Sequence, residues 1–171
     1  MSTVSVMRAS TSTRTRTAVH LADAITGGFS FIVSHLGLST AYLSNNWGAI
    51  ELGLMTWIKE GSLAEVYLEF GDPDNPIAVF EVPIEYYFTG EAKEEYVANR
   101  VRLARLAAKI RQVPRGTAYR VVVSHNGGHT DVSGWNSTNL ADRSGLATQN
   151  LGTLGSGPDA AASLLYHARR A

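Results

Sequence analysis

The stretch from Glu65 to Phe88, EVYLEFGDPDNPIAVFEVPIEYYF, alternates apolar and polar residues on both sides of a short segment, DPDNP. A period of two is typical of β-strands that bury one face, and Asp, Asn and Pro favour a turn between them. The sequence therefore predicts an antiparallel hairpin with one apolar face and one acidic face. Pro83 cannot donate a backbone hydrogen bond, which predicts a sheet edge or a bulge at that residue.

Three segments around this hairpin have the periodicity of amphipathic helices, with apolar residues at three- and four-residue steps. They run from about Ala18 to Gly37, from about Ser44 to Gly61 and from about Glu91 to Val113. A further strand, rich in β-branched residues, is predicted from Thr117 to Ser124, with Tyr119, Val121 and Val123 on one face and Arg120 and Val122 on the other. The pattern predicts an α+β domain in which three main helices pack on an antiparallel sheet.

The last quarter of the chain has a different composition. Residues 134–157, GWNSTNLADRSGLATQNLGTLGSG, are too polar and too rich in glycine for a buried strand. Residues 160–166, AAASLLY, again predict ordered structure. We interpret the first segment as a long arm that rejoins the fold through a terminal strand. The alternative is an ordinary glycine-rich tail followed by a last strand.

Composition excludes several classes of protein. The chain has 171 residues, of which 44% are hydrophobic, and this suits one globular domain. Fifteen basic residues balance fifteen acidic ones, so no net charge attracts nucleic acid or a membrane. There is no cysteine, and the N-terminus lacks the pattern of a signal peptide. We therefore expect a cytoplasmic protein that does not cross a membrane.

No local motif predicts an enzyme. His125 and His129 flank a turn sequence, NGG, which does not favour a shared metal ion, and residues 152–157 lack the Lys and Ser/Thr of a phosphate-binding loop. We expect no catalytic residue, cofactor or metal. A hydrolase would need Ser and His residues that only folding brings together.

Basic residues are concentrated between Arg100 and Arg120, with no acidic residue among them. This leaves an alternative function, a small nucleic-acid-binding domain that uses the basic helix 97–113. The zero net charge and the scarcity of aromatic residues between the arginines argue against it.

Three stretches resemble bacterial HORMA-domain proteins. WGAIELGLMTWIKEGSLAEVYLEF, residues 47–70, is similar to their second helix and first hairpin strand. Residues 134–157 resemble the opening of their C-terminal safety belt, and VSVMRASTSTRTRT, residues 4–17, resembles their N-terminal segment. The resemblance covers essentially the whole chain. It implies a mobile N-terminal tail over residues 1–17, a HORMA core over residues 18–125 and a safety belt over residues 126–171.

The resemblance also implies a function. Such proteins are peptide-binding signalling adaptors of CBASS antiphage defence, whose belt closes around a closure-motif peptide. The closed form then binds and activates a cGAS-like nucleotidyltransferase, and an AAA+ ATPase of the HORMA-remodeller type reopens it by pulling on the N-terminus. The peptide would add as a strand beside residues 117–124. The residues expected to bind the peptide are Tyr119, Arg120, Val121, Val122, Val123, Trp135, Leu146 and Leu151, and those expected to form the handle for the ATPase are Thr13, Arg14, Thr15 and Arg16.

Overall fold

The structure of the chain is a computed structural model, which describes residues 11–87, 97–98 and 110–169. In these residues the sheet is antiparallel and its strands follow the order β3-β5-β6-β2-β1-β4. Two helices of the described residues pack on this sheet, which confirms the predicted α+β class. The elements are α1 (Thr11–His35), α2 (Ala41–Glu60), β1 (Leu63–Asp72), β2 (Asn75–Tyr86), β3 (Val97–Ala98), β4 (Tyr119–His125), β5 (Ala147–Ser156) and β6 (Ala160–Ala168).

The predicted hairpin is formed by β1 and β2, with the turn at residues 73–74. The prediction of a sheet edge or bulge at Pro83 is wrong, because β2 lies between β1 and β6 in the sheet. The pairing of β2 with β6 keeps one register from Glu81 opposite Leu165 to Ile84 opposite Ala162, and it leaves out Val82 and Pro83. The sheet thus accommodates the proline by an interruption of the ladder, since proline has no N–H to contribute there.

Helix α1 begins seven residues before the predicted start, so the expected mobile tail is wrong for residues 11–17. Thr17 is 1% exposed and continues the buried stripe of Leu21 and Ile25 by one more turn. Burial of this turn outweighs the low helix propensity of its threonines. The expected handle, residues 13–16, therefore lies in the first turns of a helix, and residues 1–10 lie outside the described residues.

The predicted third helix, residues 91–113, is wrong where the structure describes it. Val97–Ala98 form the short strand β3 and pair with Ser156 and Gly155 of β5. Residues 110–113 are not helical, although Ile110 and Val113 are buried in the core. An apolar pattern at helical spacing did not distinguish a helix from a short strand followed by buried chain. The remaining residues of this segment, with most of its arginines, lie outside the described residues.

The C-terminal hairpin, formed by β5 and β6, belongs to the same core as the helices. The predicted terminal strand is confirmed by β6, whereas residues 147–156 form the strand β5 instead of a loose arm. Only Leu151 and Leu154 are hydrophobic side chains that β5 buries, and the polar residues 148–150 are exposed. The polar composition therefore reflects a strand whose first half is exposed on both faces and whose second half packs on the core. Its register shifts near Gly152, which has a φ of 92°, a conformation that favours glycine.

Among the described residues, α1 is the one helix with the length and composition of a membrane span, with a mean hydropathy of 1.2 over its best window. More than half of that window, 56%, is buried inside the protein. Ile25, Phe29 and Ile32 are at most 1% exposed. Packing against the rest of the core accounts for the apolar composition, as in the core helix of a soluble protein.

Strand β4 ends the sheet, and two hydrogen bonds establish which of its amides face β1. The N–H of Gly71 donates to the carbonyl oxygen of Ala118 (2.8 Å), so even-numbered residues of this segment bond to β1. The N–H groups of Val121 and Val123 then point to the open edge, because alternate residues of a strand bond in opposite directions. The N–H of Val121 indeed donates to the hydroxyl oxygen of Tyr42, which lies outside the sheet.

The side chain of Val121 packs in the main core and that of Val122 in a second cluster, which confirms the predicted faces.

This alternation predicts opposite outcomes for two adjacent proline substitutions. Val122→Pro removes an N–H that bonds to β1, and the protein is expected to lose its cooperative fold. Val123→Pro removes an N–H at the open edge, where proline is tolerated, and the fold is expected to remain. Thermal unfolding followed by circular dichroism distinguishes the two. A stable Val122→Pro protein would contradict the assigned direction of these amides.

Candidate functional site

A cavity of about 300 Å³ lies beside the open edge of β4. Val121, Val122 and Val123 all line it, so it runs along the edge of the strand. Trp57 of α2 lines one side, and residues of the segment after β4, between His129 and Thr138, line the rest. The cavity therefore lies between an edge strand and a loop that is not paired with it, and it is partly open to solvent.

The chain after β4, residues 126–146, passes around this edge, and we call it the wrapping segment. Its first part is tied to α2 by two indole N–H groups. The Nε1 atom of Trp57 donates to the carbonyl oxygen of Thr130 (2.6 Å), and that of Trp135 donates to the carbonyl oxygen of Ala49 (2.8 Å). The carboxylate of Glu60 also accepts the N–H and the hydroxyl of Thr130 (2.9 and 2.7 Å).

The second part of the wrapping segment crosses the face of the sheet opposite the helices. Glu69 of β1 is 2% exposed on that face. Its carboxylate accepts a hydrogen bond from Nε of Arg120 (2.6 Å) and one from the N–H of Ala141 (2.7 Å). Arg120 in turn donates to Oγ1 of Thr138 (3.0 Å) and to the carbonyl oxygen of Asn139 (2.6 Å). The charges of β1 and β4 thus hold the segment in place.

A second carboxylate repeats this arrangement on β2. Glu81 forms an ion pair with Arg143 and lies within hydrogen-bond distance of Nε2 of His167, at 2.9 Å. The guanidinium of Arg143 lies 5.2 Å from the centre of the Tyr67 ring. Leu146 packs beside it, against a small apolar cluster that includes Tyr67 and Val122. The acidic face that the hairpin sequence predicts is therefore covered by the wrapping segment.

Gly53 of α2 provides the space for Trp135. A Cβ atom at Gly53 would lie 2.5 Å from Nε1 of Trp135 and 2.9 Å from the Trp57 ring, which is closer than real contacts allow. The two indole rings meet edge to face at 5.0 Å. Glycine at this position lets the wrapping segment approach the helix backbone.

Gly53→Ala is expected to displace Trp135 and to lower the free energy of unfolding by about 1–3 kcal/mol through overpacking. Gly48→Ala is the matched control, because it lies in the same helix and a Cβ there meets nothing within 4 Å. It is expected to raise stability by about 0.5–1 kcal/mol. Urea unfolding, with limited proteolysis of the wrapping segment, measures both. Equal stability changes in the two variants would refute this role of Gly53.

Two histidines stack at the end of the cavity where β4 ends. The rings of His125 and His129 are 3.6 Å apart and nearly parallel, and both meet the edge or face of Trp57, at 4.6 and 5.9 Å. Burial lowers the pKa of His125 below its ordinary value of 6.5, and His129 lowers it further, whereas Glu60 acts in the opposite direction. Among the described residues, no group of three or more potential ligands could hold a metal ion.

The lowered pKa of His125 predicts that stability falls as the pH drops below 6.5. Below pH 6.5 the unfolded chain binds a proton at His125, while the folded chain resists protonation until the pH reaches its lowered pKa. The contribution of His125 to the free energy of unfolding is therefore fully present above pH 6.5 and is lost as the pH falls from 6.5 through the pKa of the folded state. His129→Gln removes the repulsive partner and is expected to reduce the pH dependence. Urea unfolding at pH 7.5 and 5.5 measures this pH dependence of the free energy of unfolding. His35→Gln, at an exposed position of α1, is the control. An unchanged dependence in His129→Gln would contradict the coupling.

The structure brings only some of the predicted peptide-binding residues to the cavity. Val121, Val122, Val123 and Trp135 line it. Arg120 binds Glu69 and the wrapping segment instead.

The other three predicted residues contact neighbouring parts of the fold. The hydroxyl of Tyr119 donates to the carbonyl oxygen of Ser39 (2.6 Å). Leu146 packs on the face opposite the helices, and Leu151 is buried in the core. Leu146 thus anchors the wrapping segment and Leu151 the C-terminal hairpin, whereas Tyr119 ties β4 to the turn before α2.

Sequence reasoning missed Gly53, Trp57 and the histidine pair as site residues. Trp57 carries the periodicity of a core residue, and it is indeed 2% exposed. Its second role, the hydrogen bond from its indole N–H to the wrapping segment, depends on Thr130, 73 positions later in the chain. The spacing of His125 and His129 around NGG was the one visible signal, and it was interpreted as a surface turn.

Comparison with known proteins identifies the family. The model of the family Bacterial HORMA domain 2 matches residues 1–170. The chain belongs to the bacterial HORMA domain family. Among curated proteins, none matches this chain in sequence.

Solved structures of low sequence identity share the fold. Caenorhabditis elegans HTP-2 bound to the HIM-3 closure motif superposes with a TM-score of 0.67 at 14% identity, over 87% of this chain and 88% of that one. The CdnC:HORMA-deltaN complex of Escherichia coli MS115-1 gives a TM-score of 0.60 at 13% identity, over 92% and 90%. The mitotic checkpoint complex gives 0.56 at 10% identity, over 76% and 72%.

Proposed function

We propose that this protein is a signalling adaptor of bacterial antiphage defence that binds an extended closure-motif peptide. The peptide adds as a strand to the open edge of β4, and the wrapping segment closes over it. The observation that carries this proposal is the cavity between that edge and the wrapping segment. Main-chain amides on one side and enclosing side chains on the other are what strand addition requires.

The position of the C-terminal hairpin supports the proposal. The hairpin pairs with β2, on the side of the β1–β2 pair away from β4, so it leaves the edge of β4 to another strand. The wrapping segment then has to pass around that edge to reach the hairpin. A protein of the same fold, HTP-2, has a structure bound to a closure motif. In the adaptor proposed here, the wrapping segment holds a peptide by enclosing it.

The downstream partner is a cGAS-like nucleotidyltransferase in the cytoplasm. A bacterial HORMA protein of this fold occurs in a complex with CdnC, and that match covers 92% of the present chain. The peptide-bound form binds the nucleotidyltransferase and activates second-messenger synthesis. The adaptor itself performs no chemistry. The gene neighbourhood is a direct check, because a nucleotidyltransferase gene beside this one supports the partner and its absence argues against it.

An AAA+ ATPase of the HORMA-remodeller type resets the adaptor in this proposal. The ATPase engages the N-terminus and pulls the chain toward itself, so residues 13–16 are drawn in before the rest of α1. Because these residues are helical, pulling on them unwinds the start of α1 before it reaches Thr17 and Ala18, which are each 1% exposed. Disturbance of that buried turn is how force on the N-terminus reaches the core.

A random peptide library displayed on phage tests peptide binding and defines the bound motif in the same experiment. The wild-type protein is expected to enrich a related set of peptides. Val123→Pro, which lacks one edge N–H, is expected to bind the enriched peptides at least about tenfold more weakly, since a peptide–backbone hydrogen bond is lost and the ring obstructs the edge. Gly48→Ala is the control and should bind normally. Failure to enrich any peptide, or full binding by Val123→Pro, would contradict the proposal.

A further inference from the structure

The N-terminal end of α2 lies beside the beginning of β4 and contacts it through two tyrosines. The ring of Tyr42 meets the ring of Tyr119 edge to face, with centres 5.3 Å apart. The hydroxyl oxygen of Tyr42 lies 3.3 Å from the backbone nitrogen of Val121 and accepts its hydrogen bond. The Tyr42 side chain is 37% exposed, so the core does not hold it from all sides.

The amide that Tyr42 binds is one that faces the open edge of β4. Gly71 bonds to the carbonyl of Ala118, which directs the amides of residues 120 and 122 toward β1 and that of Val121 away from it. Backbone N–H groups that point outward from an edge strand are the groups that an added strand uses. Tyr42 therefore occupies a donor that belongs to the strand-addition edge.

A peptide carbonyl and the Tyr42 hydroxyl cannot both accept this hydrogen bond in good geometry. Two strands that pair bring their N and O atoms to about 2.9–3.0 Å, which is nearly where the Tyr42 oxygen already lies. The cavity begins at the same residue, since Val121 lines it and Tyr119 does not. A peptide that fills the cavity to this end meets Tyr42.

We propose that Tyr42 caps the edge of β4 and sets the threshold for peptide binding, because the peptide has to displace the Tyr42 hydroxyl to pair with Val121. This inference rests on the proposed function and adds a residue that regulates the same site. The cap satisfies an amide at the sheet edge and blocks pairing by chance strands, whereas a peptide that also fills the cavity gains enough contacts to replace it.

Tyr42→Phe tests the cap, because it removes the hydroxyl and keeps the ring that packs on Tyr119. The probe is a fluorescein-labelled peptide that the random library enriches on the wild-type protein. Its affinity for Tyr42→Phe is expected to rise about two- to tenfold, the range that one net hydrogen bond supports. Tyr87→Phe, at a tyrosine that is 45% exposed after β2, is the control and should bind as the wild type does.

Amide hydrogen exchange gives an independent measurement on the same proteins. In the peptide-free protein, the amide of Val121 is expected to exchange faster in Tyr42→Phe than in the wild type. In the complex it should be equally protected in both, since the peptide then accepts the bond. Unchanged or weaker peptide affinity in Tyr42→Phe would overturn the cap, and so would unchanged exchange at Val121. If no peptide binds the wild type, the proposed function itself fails and the cap falls with it.

Discussion

The carboxylate of Glu69 is buried on the face of the sheet opposite α1 and α2, and the arrangement of the site depends on how its charge is satisfied. An unpaired buried carboxylate is too costly to persist, so its partners must be held in place. Arg120 comes from the edge strand and the N–H of Ala141 from the wrapping segment. One charge thus joins β1, β4 and residues 138–141, and covering this face requires the chain to pass around the edge of β4.

The tryptophans perform the corresponding task on the helix side. Each indole has one N–H, and each donates it to a backbone carbonyl across the junction between α2 and the wrapping segment. The edge of β4 is therefore enclosed from the helix side by hydrogen bonds to backbone and from the opposite side by an ion pair. Between these attachments the segment spans the cavity. A loop held at both ends can close over a strand without supplying a strand of its own.

Local periodicity predicted the elements that have a period of two and a buried face. The β1–β2 hairpin, the two faces of β4 and the terminal strand β6 are all confirmed, because alternation by itself specifies which side is buried. The start of α1, the position of Pro83 and the strands β3 and β5 were predicted wrongly. Each depends on a partner far away in the chain, as when Val97 pairs with Ser156. Within the site, the edge residues 121–123 and Trp135 were predictable from the family resemblance, while Gly53 and Tyr42 acquire their roles only through packing.

The C-terminal hairpin also completes the core, and this has a consequence for how long the proposed signal would last. The ring of Tyr166 stacks on Phe80 at 4.8 Å, and Leu154 and Leu164 are buried with it. Detachment of the hairpin exposes these side chains to water at roughly 1.5–3 kcal/mol each. It also leaves β2 with an unpaired edge. In the adaptor proposed above, release of the wrapping segment that also detaches this hairpin is a partial unfolding reaction, because it exposes core side chains to water. An adaptor of the proposed kind would then retain a record of having met its peptide until work is done on it.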